Sequence, residues 1–507
     1  MRFQWALTAG ALLGARLVCP GAPAGETNAL QIIEQLQRRI DKLEKQVKAL
    51  QQAQAAAGAT NEPAANPRVQ ELEQKVKTLE RDRERETEAA EARKEAPTLT
   101  LGEQGISFAS ANGNFGVQLR GVLQVDSRTY FGDAGTVGND GLLLRRARPI
   151  LQGTVFRDFD FVFIPDFGVA TSQSSTPVIQ DAYLNYRYSP ALQFQAGKYK
   201  VPVGLELLQP DPYGLFNERA LPTDLVPVRD VGFMLHGDLF GGIASYAAGI
   251  FNGVADTASS SNADFEDDKA FAGRVFFLPF KQSSAPALAG FGFGVGGSYE
   301  SVQQTTSAVS ALPSGYLTAG LQKFFAYNPT NGAVVYPAGD HWRLAPQAYY
   351  YYGPFNLLGE YNISNQRVTR TGGGSQPVAR LDHTAWQIAA GWVLTGEDAA
   401  YGASVAPRYP FNPAKGHWGA LQLVGRFSEL DIDPAAFPTF SDPASSARSA
   451  KECSAGLNWF LNQNIRVNAS FSHTWFDGGG HSSSASAPAS VTQEEENVFF
   501  TRVQLAF

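Results

Sequence analysis

The side chains best suited to chemistry in this chain are arginines. Arg145-Arg146-Ala147-Arg148 sets three guanidinium groups within four residues. Arg120, Arg128, Arg187, Arg274, Arg343, Arg426, Arg466 and Arg502 recur in segments where polar and apolar residues alternate. A guanidinium is permanently charged and planar, and its paired N–H donors match an oxyanion. Its natural chemistry is therefore to hold anions. Catalysis is poorly provided for. His236, His341, His383, His417, His473 and His481 are scattered without metal-ligand spacing, and no G-x-S-x-G run occurs. The acidic run Asp264–Asp268 reads as a solvated loop rather than a divalent-ion site. The sequence implies no enzyme, no metal and no cofactor.

Strands position these arginines. From Phe115 the pattern has period two: Phe115, Val117, Leu119, Leu123 and Val125 share one face, while Gln118, Arg120, Gln124, Asp126 and Arg128 share the other. Asp181–Tyr188 and Phe355–Ser364 repeat it. Strands of about ten residues, aromatics gathered near their ends and a terminal Phe507 after an alternating strand suit a transmembrane barrel better than a soluble sheet. The fold class expected is all-β, a transmembrane antiparallel β-barrel with an N-terminal α-helical extension. A charge on the lipid face costs roughly 2–4 kcal/mol at the bilayer midplane. Parity therefore sends the mid-strand arginines inward, together with Asp126, Asp160, Asp166, Asp181, Glu300, Glu360 and Glu452. The same parity puts Cys453 on the lipid side with Leu457 and Trp459. Arg145 has the wrong parity unless a bulge turns it inward.

One stretch, Gly197–Gly237, interrupts the alternation. Pro202, Pro210, Pro212, Pro222 and Pro227 block a paired ladder there. Lys198, Lys200, Glu206, Asp211, Glu218, Arg219, Asp224, Arg229 and Asp230 give it both signs of charge. Its centre, near residues 204–228, reads as an ordered binding or constriction loop. Other loops are expected at Ala255–Asp268, Gly372–Val378, Pro434–Ala447 and Asp477–Glu496.

The runs GKYKVPVGLE (197–206), NERALP (217–222) and VGFMLHG (231–237) resemble the phosphate-selective porin O and P family, with Val203 where that family usually has Phe. LLRRARPILQGTVFRDFDF (143–161), DAYLNYR (181–187), LTGE (394–397) and GLNWFLNQNIRVNASF (456–471) extend the resemblance over roughly residues 105–507. It implies about sixteen strands, a trimer and a loop folded into the lumen. It also implies that the arginines of the Arg145–Arg148 run, with Lys200 and Arg219, form a narrow anion-binding zone. Either of the last two equally suits pinning the loop to the wall. Phosphate itself is in question, because Asp211, Glu218, Asp224 and Asp230 offset the loop's cations and no cationic cluster is visible in the sequence.

The remaining regions set the context. Residues 1–24 read as a secretory signal, with Arg2, an apolar stretch and small residues at Ala22 and Ala24. Cys19 offers a weaker lipoprotein reading. Residues 25–97 form a periplasmic segment in which Ile33, Leu36, Ile40, Leu43, Val47 and Leu50, then Val69, Leu72, Val76 and Leu79, trace a heptad seam. The Pro/Ala-rich stretch 53–67 breaks it. A self-associating coiled coil is the expectation, with a solvated helix as the alternative. The barrel would occupy 98–507. The net charge is −7. Residues 1–97 hold 15 basic and 14 acidic residues, leaving 26 and 34 beyond them, a net −8 that by itself disfavours an anion pore. The partners expected are small anions, with phosphate among them, outer-membrane lipid, two further copies of the chain, and the cell wall through the coiled coil; nucleic acid is not one. The function expected is passive anion diffusion across the outer membrane. A general porin and a structural anchor are the alternatives.

Overall fold

The computed structural model describes residues 24–56, 67–132, 140–168, 177–260, 267–302, 312–329, 333–371, 376–478 and 494–507. The expected leader, the centre of the Pro/Ala-rich break, and Asp264 and Glu266 lie outside them. Two compact units are present, one helical and one built of strands.

In the helical unit, α1 (Ala24–Ala56) and α2 (Pro67–Glu95) run antiparallel. Pro67 opens α2, where a missing N–H costs nothing. Arg83 donates to Gln37 at 2.5 Å and Gln51 donates to Glu73 at 3.3 Å. Ile40 and Val69 are buried, and the other seam residues are half-buried. Within one chain the heptad residues meet in a helical hairpin, and self-association is not shown. Once the chain turns back, each seam finds its apolar partner in the other.

The strand unit is a closed antiparallel barrel of sixteen strands, and two short strands before them, Thr98–Gly102 and Gly105–Ala109, belong to the same sheet. The sixteen are β1 (Gly116–Phe131), β2 (Gly141–Val155), β3 (Phe159–Asp166), β4 (Val178–Ser189), β5 (Leu192–Lys200), β6 (Arg229–Leu239), β7 (Ala244–Phe251) and β8 (Ala270–Phe277). They continue as β9 (Phe291–Val302), β10 (Val335–Tyr352), β11 (Phe355–Arg370), β12 (Val378–Val393), β13 (Ala420–Asp431), β14 (Ser449–Phe460), β15 (Ile465–Asp477) and β16 (Glu495–Ala506). Each pairs with its sequence neighbour. β16 closes on β1, from Asn497↔Phe131 to Ala506↔Val122.

The alternation of the sequence becomes the two faces of the wall. On β1, Leu123 and Val125 are exposed, whereas Gln124, Asp126 and Arg128 are buried. On β16, Val503 and Leu505 are exposed, while Arg502 and Gln504 are buried. Cys453 points outward, as parity requires. One assignment changes. Glu496 is not a solvated loop acid but a buried strand residue, 1% exposed, because it has inward parity on β16.

One end of the barrel has mostly short turns, such as 156–158, 190–191 and 353–354, and also holds Phe507. The other end carries the long loops. Here an apolar cluster joins Leu221 and Leu225 to Tyr316, Phe324 and Phe325 of a small hairpin in the β9–β10 loop, and to Ala436 and Phe440 of the β13–β14 loop. At the short-turn end, the long Leu394–Gly419 connection sends Tyr401 inward, where its hydroxyl donates to the Leu205 carbonyl at 2.7 Å. No helix of the described residues is long and apolar enough to cross a membrane; a barrel crosses with strands instead.

Candidate anion pathway

The segment Val201–Val228 leaves β5 and crosses the lumen. Its first residues pack on the wall through Val201, Val203 and Leu207 against Met234, Phe251 and Ala345. Val203, at the position of the resembled family's Phe, is fully buried in that contact. Gly197, which opens the motif, has φ +133° and lies so close to β4 that a Cβ would sit 2.2 Å from the Ala182 carbonyl oxygen. Only glycine fits there.

Beyond this base the loop has no ladder, so its carbonyls need other donors. Wall side chains supply them. Gln347 donates to Val203 at 2.8 Å, Asn362 to Pro222 at 2.7 Å and Gln504 to Pro212 at 3.0 Å. Arg466 donates to Gly214 at 2.7 Å, Asn458 to Leu215 at 3.0 Å, Arg502 to Asn217 at 2.7 Å and Arg426 to Glu218 at 2.9 Å. Lys200 donates to the Gln209 carbonyl at 2.6 Å. Prolines and wall donors thus fit each other: the loop brings acceptors, and the wall brings N–H groups.

The loop's acids meet the arginine run. Arg145 binds Glu218 through two hydrogen bonds of 2.7 and 3.0 Å. Arg128 reaches the same carboxylate at 3.0 Å and Arg502 at 3.5 Å. Asp211 lies 3.5 Å from Arg146 and also pairs with Arg148 and Arg219. Arg148 further binds Asp166 at 2.6 Å, and Arg502 binds Asp126 at 2.6 and 2.7 Å. Burial alone would raise the Asp211 and Glu218 carboxyls. The facing cations outweigh it and hold both below the usual carboxylate range.

Arg145 turns inward by a break in parity. Leu142 and Leu144 are exposed on β2, and so is Leu151, which places Arg145 and Arg146 as consecutive inward residues. Such a switch is what a bulge produces. The RRAR run therefore delivers all three of its arginines to the loop.

The structure gathers Arg128, Arg145, Arg146, Arg148, Arg219 and Arg502 around Asp126, Asp166, Asp211 and Glu218. Six guanidinium groups facing four carboxylates leave an excess of two positive charges. The cationic cluster that the sequence did not show exists in space, assembled from four separate segments. Lys200 stands beside it, held to the loop backbone. Arg426 joins its rim and also binds Glu452 at 2.6 Å. Arg120 approaches Tyr213 at 3.5 Å and the Phe507 carbonyl at 3.2 Å. The other two predicted residues stand apart. Arg187 pairs with Asp160 at 2.9 Å, and Arg274 donates to Gln347 at 2.8 Å.

Sequence reasoning missed the neutral amides. Gln124 accepts from Arg146 at 2.6 Å and donates to Gln504 at 2.7 Å. Gln504 in turn faces Arg466 at 3.4 Å. Their inward parity was the available signal. No group of three or more His, Cys, Asp or Glu side chains suited to a metal ion occurs among the described residues.

A family model described as phosphate-selective porin O and P matches residues 117–507. No curated relative matches the sequence. Among solved structures, the outer-membrane channel DcaP of Acinetobacter baumannii is 12% identical, with a TM-score of 0.48, covering 78% of this chain and 98% of that one. An anion-selective porin from Comamonas acidovorans is 12% identical, with a TM-score of 0.47, covering 78% and 100%. OmpT of Vibrio cholerae is 11% identical, with a TM-score of 0.44, covering 78% and 98%.

Proposed function

Because this chain belongs to the phosphate-selective porin O and P family, we propose that it is an outer-membrane porin that passes small anions by diffusion through its arginine-lined lumen. The observation that carries this reading is the surplus of six arginines over four carboxylates where the Val201–Val228 loop meets β1, β2 and β16. Field close to the permeating ion governs selectivity, because screening weakens exposed charges beyond about 8–10 Å at physiological salt. The net −8 of residues 98–507 is then secondary to the local surplus. Cationic rings lower the barrier for anions.

Inorganic phosphate is the finer reading. Its support is the family together with Arg146, whose Nε is buried without a hydrogen-bond partner beside Asp211. In a planar bilayer, phosphate should block chloride current at lower concentration than sulfate does. Equal block by the two would leave a general anion porin. The short-turn end of the barrel is assigned to the periplasm, and the helical hairpin is proposed as a periplasmic element that reaches the cell wall or other copies of the chain. Homotrimeric assembly follows the family expectation and is tested by cross-linking in detergent.

A further inference from the structure

Two clefts in the lumen share one residue. The first is lined by Tyr213, Leu215, Tyr351, Ser404 and Arg466 among others, and also by Gly214. The second is lined by Arg146, Asp211, Asn217 and Arg219 among others, and again by Gly214. Gly214 is the residue that lines both. Nothing in the backbone asks for glycine at this position. Its φ of −61° and ψ of 154° are open to any L residue. Packing does not ask for it either. An added Cβ would meet only the Phe216 carbonyl oxygen within 4 Å, at an ordinary 3.7 Å. The space above Gly214 is open, in a loop whose neighbours Phe216 and Asn217 are buried.

Each cleft also carries one arginine with capacity to spare. The buried Nε of Arg466 makes no hydrogen bond among the described residues, and that of Arg146 makes none but lies 3.5 Å from the Asp211 carboxylate. Among the described residues Arg466 binds no carboxylate; its bonds go to the Gly214 carbonyl and to Gln504. The two arginines are linked on the wall by Gln124 and Gln504, at 2.6, 2.7 and 3.4 Å. Gln504 also fixes the loop through Pro212.

We propose that Gly214 is the throat of the pore. It is the size-determining position at which an anion passes from the Arg146 cleft to the Arg466 cleft, over a backbone kept free of side chain. This rests on the anion-porin reading above and names where in the lumen that passage is set. Glycine is kept here for space, and a larger residue would enter the passage while leaving the loop's anchors intact, since those use the Gly214 carbonyl.

The test compares wild type, Gly214→Ala, Gly214→Phe and, in a Cys453→Ala background, Gly214→Cys. Heat-modifiable migration and circular dichroism establish that each is folded. Single-channel recording in KCl should show a several-fold fall for Gly214→Phe and a smaller fall for Gly214→Ala. A negatively charged methanethiosulfonate should close the Gly214→Cys pore faster than a positively charged one. If folded Gly214→Phe conducts like a conducting wild type, or if Gly214→Cys reacts with neither reagent, the throat lies elsewhere and the proposal fails while the porin reading stands. A wild type that carries no current overturns both.

Discussion

The guanidinium of Arg145 grips the Glu218 carboxylate at 2.7 and 3.0 Å, joining β2 to a loop seventy-three residues away. Breaking a buried pair leaves an uncompensated charge, at a cost of about 3–5 kcal/mol. Arg145→Ala should fall at the low end of that range, because Arg128 still holds Glu218 at 3.0 Å. Glu218→Gln should cost more, since it leaves Arg145, Arg128 and Arg502 facing a neutral amide. Guanidinium unfolding of the refolded barrel in detergent measures both, and equal stability of the two variants would refute the shared-carboxylate geometry.

Arg146 and Arg148 should separate by function. Arg148 is tied at short range to Asp166 and Asp211, whereas the Arg146 Nε makes no hydrogen bond and only a looser ion pair with Asp211, at 3.5 Å. Arg146→Ala should shift the reversal potential toward cations with little loss of stability. Arg148→Ala should destabilise the loop and raise current noise. The reverse pattern would make Arg146 the anchor and Arg148 the ion contact.

What the sequence disclosed was the side of the wall on which each residue lies. Period two placed Arg146, Arg426 and Arg502 inward, and prolines marked the loop that crosses. Partnership was not disclosed, because Arg145 and Glu218 meet through the closure of the barrel, which no local pattern encodes. The parity break on β2 was legible only as a condition, since the sequence showed that Arg145 needs a bulge to face inward but not that one occurs. Tyr401 was hidden for another reason: a connection at the short-turn end gives no hint that it folds inward. The pairing of α1 with α2 was not legible, because a heptad seam looks the same whether its partner is another copy or the next helix.

The loop's paired acids should add no pH dependence to selectivity over a wide window. Asp211 and Glu218 are both held below the ordinary carboxylate range by facing arginines, against the opposing effect of burial. A carboxyl depressed below its unfolded pKa of about 4 stabilises the fold above that value. That contribution is lost only as pH falls through the lower folded value. Neither Asp211 nor Glu218 should therefore contribute a step in reversal potential between about pH 8 and pH 4. A midpoint within that window, abolished by Asp211→Asn, would contradict the pairing.

Asp224 behaves in the opposite sense. Burial raises its carboxyl well above the usual range; the Leu317 amide, 2.8 Å away, opposes this only in part, and Asp256 and Glu452 add to it. An acid with a raised folded pKa costs stability above its unfolded value, and that cost disappears as pH falls. Asp224→Asn keeps an acceptor for Leu317 and should stabilise the barrel at pH 8, with the gain shrinking toward pH 4. Asp224→Ala orphans the amide and should cost about 1–3 kcal/mol. Unfolding midpoints at the two pH values decide it, and a destabilised Asp224→Asn would contradict the assignment.

That a local surplus of arginine overrides the acidity of the whole barrel is tested most directly by the reversal potential of the wild-type pore across a KCl gradient in a planar bilayer. The cluster around Asp211 and Glu218 predicts a potential on the chloride side of zero, moving toward zero when Arg146 is replaced by Ala. A cation-side potential from the folded wild-type barrel would contradict it.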